Sequence, residues 1–146
     1  MIDKKHIGKV IADFRTSAPA SQLRFFAKAT GQTDPVYLDE AAARDVGHPG
    51  LPLPPTFLFS LELANPPSAW RDELGIRPER ILHGEQSFTY HRMAYAGDVL
   101  HLRTTIEDIY DKKNGALEFV VRNTRVTNQD GEHVADLRSV LVQRNG

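Results

Sequence analysis

Apolar and polar positions follow two regimes along this chain, one broken by proline and glycine up to about residue 80 and one of long β-rich stretches from Ile81 onward. In the first regime, residues 54–64 (P-P-T-F-L-F-S-L-E-L-A) hold only Thr56, Ser60 and Glu62 as polar positions after two prolines. Proline is tolerated in a first helical turn and stops a helix beyond its end, so Pro54-Pro55 and Asn65-Pro66-Pro67 punctuate a helix. Such a helix is apolar nearly all round and must be enclosed by the rest of the fold. The same letters alternate at period two through Phe57, Phe59, Leu61 and Leu63, so a buried strand competes with it. The punctuation favours the helix.

Residues 7–14 are short, partly apolar and fit a first strand. Residues 17–21 read as a break with a helix cap, and 22–30 as a helix with Leu23, Phe26 and Ala27 on one face, closed by Gly31. Residues 32–35 form a compact turn, 39–44 a second short helix with its acids first, and 48–54 a loop. After Pro66-Pro67, residues 68–74 predict a short amphipathic helix anchored by Trp70. Strands are expected at 81–92, 99–111, 116–128 and 133–144, separated by Gly97-Asp98, Asn114-Gly115 and Asp130-Gly131. Asn-Gly and Asp-Gly are strong hairpin signals because tight primed turns need positive φ. The expectation is an antiparallel meander wrapped round the apolar helix, an α+β domain of the hot-dog arrangement spanning 1–146. A sheet of this kind leaves an edge open, so a dimer or larger assembly is expected.

Composition narrows the function classes. With 146 residues the chain is long enough for one proper core. At 40% apolar, 25% charged and a formal net charge of −1, it lacks the clustered basic charge of a nucleic-acid or anionic-membrane surface. No apolar run is long enough to span a bilayer and no export leader is evident, so the cytoplasm is the default compartment. Zero cysteines exclude disulfides, thiolate catalysis and Cys-ligated metal. The histidines at 6, 48, 83, 91, 101 and 133 show no close pair at metal-ligand spacing, so no metal site is expected.

The run Phe26-Ala27-Lys28-Ala29-Thr30-Gly31-Gln32-Thr33-Asp34-Pro35-Val36-Tyr37, with Ala43 beyond it, resembles the signature of MaoC-like (R)-specific enoyl-thioester hydratases. Leu82-His83-Gly84-Glu85-Gln86, Tyr90-His91-Arg92 and Gly97-Asp98-Val99-Leu100 are similar to strand motifs of that family's N-terminal-type dehydratase domains. The resemblance implies a site in which a carboxylate and an imidazole activate one water for addition across a conjugated thioester. It also implies a backbone N–H at the start of the central helix that steadies the thioester oxygen. This chain departs at each place. Gln32 stands for the acid and cannot ionise. Tyr37 stands for the imidazole, and a phenol with an ordinary pKa of roughly 10 is a poor proton acceptor near neutrality. Pro54-Pro55 stands for the His-Gly pair, and Pro55 has no N–H. Hydratases of this type often work as two hot-dog halves, of which one lacks the acid and imidazole and shapes the acyl pocket. This chain matches that half.

Other residues are weaker candidates. Asp34 could be a displaced base, against the plainer reading of a turn-forming side chain. Tyr37 could bind substrate or plug a pocket. Glu62 is the one charge on the apolar helix, where hot-dog thioesterases place a catalytic carboxylate; it either meets a partner, faces a dimer seam or does chemistry. His83 and Glu85 would share one strand face, with Ser87, lining a cleft or an exposed polar face. Phe57, Tyr37 and Arg92 are candidate substrate contacts, and Arg77, Arg80 and Arg92 could meet coenzyme A phosphates.

Three functions follow: a non-catalytic pocket-forming subunit of a heteromeric enoyl-CoA hydratase, a self-sufficient thioesterase or hydratase using Asp34 or Glu62, or a non-enzymatic acyl-CoA binding module. In each, the small molecule is an acyl thioester on coenzyme A or acyl carrier protein, with no further cofactor. The partner is a second copy or a second, catalytic hot-dog chain.

Overall fold

The computed structural model describes residues 1–65 and 69–146. Its elements run β1 (Val10–Thr16), α1 (Ala20–Ala29), α2 (Glu40–Asp45), α3 (Phe57–Ala64), α4 (Trp70–Glu73), β2 (Ile81–Tyr90), β3 (Leu100–Lys112), β4 (Leu117–Thr127) and β5 (His133–Arg144). The expected first strand starts later than 7–14, because residues 4–6 form a 3-10 turn and Gly8 turns the chain at φ +86°. The first helix starts at Ala20 behind Pro19, with no side-chain cap from the serines. The helix, not the strand, forms at residues 57–64. The Pro66-Pro67 stop and the start of the helix expected at Ser68 lie outside the described residues. No helix among the described residues is long and apolar enough to cross a membrane.

All five strands form one antiparallel sheet in the order β1-β3-β4-β5-β2. This corrects the simple meander: β3, β4 and β5 are joined by hairpins, but β2 pairs with β5 on the far edge instead of with β3. The Gly97-Asp98 stretch is therefore not a hairpin turn. Residues 91–99 cross the end of the domain, where Leu53 N–H donates to Ala94 O, Ala96 N–H to Leu51 O and Gly97 N–H to Ala18 O. Backbone bonds to the loop before α3 take the place of a sheet partner.

α3 lies on the inner face of the sheet. Phe57, Leu58 and Leu61 pack with Leu23 of α1 and with Leu102, Val126, Ala135 and Leu137 of the strands. Phe26 meets Phe57 edge-on at 5.1 Å between ring centroids, a favoured aromatic geometry. Enclosure of α3 is incomplete within one chain: Leu63 is 63% exposed and Phe59 is half-buried. A second apolar cluster, with Trp70, Leu74, Ile76, Ile106, Ile109, Val120 and Leu141, fills the other end of the sheet.

Between the clusters runs a polar band. Gln86, Ser139 and Arg122 occupy one rung. On the next, the Thr104 and Thr124 hydroxyls bond at 2.8 Å.

Candidate functional site

The loop before α3 and the end of β2 enclose a cavity of 240 Å³ lined by Tyr37, Leu53, Pro54, Pro55, Leu58, Tyr90, Arg92, Met93, Ala94 and Val134. Apart from the Tyr37 and Tyr90 phenols and the Arg92 guanidinium, its side chains are apolar. Two prolines stiffen the approach to α3, and Thr56 at φ +70° turns the chain into the helix. The amides at this helix start are largely occupied. Pro55 has none, Thr56 N–H donates to the Tyr90 hydroxyl at 2.9 Å, and Phe57 and Phe59 N–H donate to Pro54 O and Thr56 O. Burial raises the Tyr90 phenol above its ordinary pKa; the Thr56 N–H opposes this and neighbouring Tyr37 adds to it. Tyr90 was not among the candidate site residues; its signal was its place in the Tyr90-His91-Arg92 motif at the end of a strand.

Tyr37 is carried to the cavity by a loop that holds itself. Gly31, at φ +76°, ends the turn after α1. Gln32 Oε1 accepts from the N–H of Thr33 and Asp34 at 3.1 Å each. Asp34 Oδ1 accepts from Val36 N–H at 3.0 Å and caps the 3-10 turn Pro35–Tyr37, the local role expected of an Asx turn. Asp39 caps α2 through Ala41 and Ala42 N–H. Gln32 and Asp34 therefore bond to their own loop, and neither lines the cavity.

Glu62 lies apart from the cavity, over the polar band. Its Oε1 is 3.4 Å from Arg122 Nη1, with side chains 8% and 12% exposed. Neither carboxylate oxygen has a hydrogen bond within the described residues. Burial pushes the Glu62 carboxyl upward, against the pull of Arg122, of the nearby Thr124 hydroxyl and, more weakly, of His83. Burial likewise lowers Arg122, and Glu62 opposes it. The Arg122 guanidinium also sits 5.5 Å from the Trp70 ring centroid, within cation–π range.

Four placements differ from expectation. Phe57 is core, 1% exposed, and does not line the cavity. Glu85 and Ser87 do not share a face with His83. A bulge at Gly84 pairs His83 with Leu141 but Glu85 with Val140, so His83, still exposed, lies beside Phe59 of α3 (5.4 Å between rings) and Glu85 faces Arg138. Of the arginines, only Arg92 reaches the cavity; Arg77 and Arg80 lie before the opposite end of β2. The histidines, far apart in sequence, do form a close pair: His91 and His133 lie 4.2 Å apart between ring centroids, with Asp136 beside them. Sequence spacing gave no sign of it because the pair spans two strands.

The sequence profile of the FAS1-like dehydratase domain region matches residues 5–137. A UPF0336 protein of Streptomyces coelicolor is 37% identical over 124 residues, 84% of this chain and 81% of its own length. Among solved structures, the C-terminally truncated HadBC (3R-hydroxyacyl-ACP dehydratase) complex of Mycobacterium tuberculosis superposes with a TM-score of 0.77. That match is at 28% identity and covers 94% of this chain and 96% of the matched one. A MaoC-like dehydratase superposes at 0.84 with 24% identity, covering 97% of this chain but 43% of that one; at that identity the likeness is one of fold.

Proposed function

The chain belongs to the MaoC-like hot-dog dehydratase family, and from that premise we propose that it is the non-catalytic, acyl-pocket-forming subunit of a heteromeric (R)-specific enoyl-thioester hydratase or dehydratase. One observation supports this reading: an apolar cavity is lined by Tyr37 and Pro55, two of the positions that the resemblance assigns to the family's site, and the groups that would do chemistry there are replaced or occupied. Gln32 cannot ionise and bonds its own loop. Tyr37 presents a phenol. At the helix start, Pro55 has no N–H and that of Thr56 is taken by Tyr90. No carboxylate or imidazole, the usual general bases, is among the residues that line the cavity.

Two features support a partner. The cavity's 240 Å³ falls below the roughly 300–1,000 Å³ of pockets that enclose a whole small ligand, as suits a site completed by a second chain. The ten-residue edge strand β2 leaves one side of its backbone unpaired. Leu82 and Tyr90 on it are 52% and 50% exposed, and Leu63 of α3 is also open. Long apolar edges of this kind are normally covered.

The test is hydration of an enoyl-CoA. The purified chain alone should add no water, and activity should appear with a second hot-dog chain that supplies a carboxylate and an imidazole. Robust turnover by the lone chain would refute the reading.

A second reading, an enzyme acting alone through Glu62, is favoured by the buried carboxylate whose pKa is raised and whose oxygens lack hydrogen bonds. Here Glu62→Gln should abolish turnover of an acyl-CoA while leaving the circular dichroism spectrum and melting temperature close to wild type. A silent Glu62→Gln in an active preparation removes this reading.

A further inference from the structure

At the end of β2 and the start of β5, the outer face of the sheet carries a cluster that the acyl cavity does not use. His91 Nε2 and His133 Nε2 stand 2.9 and 3.0 Å from the same oxygen, Asp136 Oδ2. One ligand atom from each residue fits within a set whose members are all within 4.8 Å of one another. In a regular strand, residues three apart point to opposite faces, so His133 and Asp136 should not meet. They do because the register shifts: Val126 pairs with Ala135 but Thr127 with His133, leaving Val134 as an extra residue. The Val134 carbonyl accepts from both His91 and Arg92 N–H, at 2.8 and 3.1 Å. This bulge swings His133 to the face of Asp136 and seats His91 beside it, the re-aiming of a side chain that bulges commonly perform.

The charges around the cluster point the same way. Asp136 is paired in register with Arg125 and Thr89, yet its ion pairs go to the two imidazoles and not to the cross-strand guanidinium. The nearby Arg92 is held by Glu132 at 3.2 Å. His133 Nε2 is shielded from solvent and faces Asp136 Oδ2 at 3.0 Å, so a ring nitrogen points into the centre of the cluster.

We propose that His91, His133 and Asp136 bind a divalent transition ion of the zinc class. Two imidazoles and one carboxylate suit zinc, cobalt or nickel, and two nitrogen donors disfavour magnesium and calcium. Zinc bonds of about 2.0–2.2 Å to nitrogen and oxygen place the ligand atoms of a tetrahedral ion roughly 3.3 Å apart. The two N···O separations lie within a few tenths of an ångström of that, and His91, an exposed residue, can adjust. Three protein ligands leave a fourth position for water. The ion would tie the end of β2 to the start of β5 behind the cavity wall, since Tyr90, Arg92 and Val134, the chain neighbours of the two histidines, all line the cavity. This site stands whether or not the cavity takes a thioester.

The experiment uses untagged full-length chain stripped with EDTA and dialysed. Zinc is titrated calorimetrically, and cobalt by its visible absorption. One ion per chain should bind with micromolar or tighter affinity, raise the melting temperature, and give cobalt bands typical of a low-coordinate nitrogen and oxygen site. His91→Ala, at an exposed position, should weaken binding at least about tenfold, the scale by which even indirect supports of a metal matter. His133→Ala should do the same. His101→Ala, which removes an imidazole from a separate pair with Asp13, should leave affinity unchanged. Zinc binding no tighter than millimolar overturns the proposal. So does tight binding that survives in the folded His91→Ala/His133→Ala double variant.

Discussion

Gly84 has no room for a side chain. A Cβ there would stand 2.8 Å from Val142 Cγ2 and 3.0 Å from the Val140 carbonyl oxygen, backbone that cannot yield cheaply. Gly84→Ala is therefore expected to cost about 1–3 kcal/mol, the usual range for overpacking, read as a lowered midpoint in urea with an unchanged slope. Glycine in a strand often marks a bulge, but composition alone does not say on which side parity breaks, which is why His83 and Glu85 looked like neighbours. Glu118 acts through charge. It is 4% exposed and accepts from Ile2 N–H and from the side-chain amides of Asn145 and Gln143. Burial opposes its ionisation, but these donors outweigh burial and hold the carboxyl below its ordinary 4.5. A depressed folded-state pKa means stability present above pH 4.5 and lost as the pH falls through the folded value. Glu118→Gln should cost about 1.5–3 kcal/mol at pH 7, the range of hydrogen bonds to a charged group. The gap from wild type should close in melts taken at progressively lower pH beneath 4.5.

Elements were legible where punctuation and periodicity agreed. Proline punctuation on both sides of the apolar run identified α3 over the buried strand that its period-two pattern also fitted. The strands β3, β4 and β5 fell within a residue or so of expectation because Asn114-Gly115 and Asp130-Gly131 bound them and β-branched residues fill them. What did not show was pairing. Nothing in the letters of β2 says that it joins β5, because that choice is set by backbone bonds of residues 51–53 to 94–96, and main-chain bonds leave no mark on side-chain identity. The His91–His133 pair was hidden for the same reason. Gln32, Tyr37 and Pro55 were legible as departures from the motif that the chain resembles, but that Tyr37 and Pro55 line one cavity, and that the Tyr90 hydroxyl takes the Thr56 N–H, required the fold. α3 offers its own test. Phe57 is fully buried against Phe26, so Phe57→Ala should cost about 3–5 kcal/mol in chemical denaturation, whereas Leu63→Ala at an exposed position should cost little within one chain.

At the scale of the molecule, the open edge is what remains to be covered. Sedimentation equilibrium at micromolar concentration should find the chain self-associated or, when a catalytic partner is supplied, bound to it. Leu82→Lys, placing a charge on the exposed edge, should shift that equilibrium at least about tenfold toward single chains, in line with loss of roughly 1.4 kcal/mol or more. A wild-type chain that stays single at every concentration and ignores the partner would remove the case for an assembly.

The strand order also sets a sequence of events in time. The β3-β4-β5 hairpins join neighbours along the chain, whereas β2 must travel past β3 and β4 to find β5. Contacts between remote segments form late because loop closure precedes their reward. The central ribbon should therefore solidify first and the two borders, β1 and β2, last, and the same borders should open first in the native state. Amide exchange should then be slowest in β4 and faster along β1 and β2. Tyr90 and Arg92 ride at the end of the β2 border, so the wall that would meet an acyl group is among the parts of the molecule with the shortest memory of their own shape.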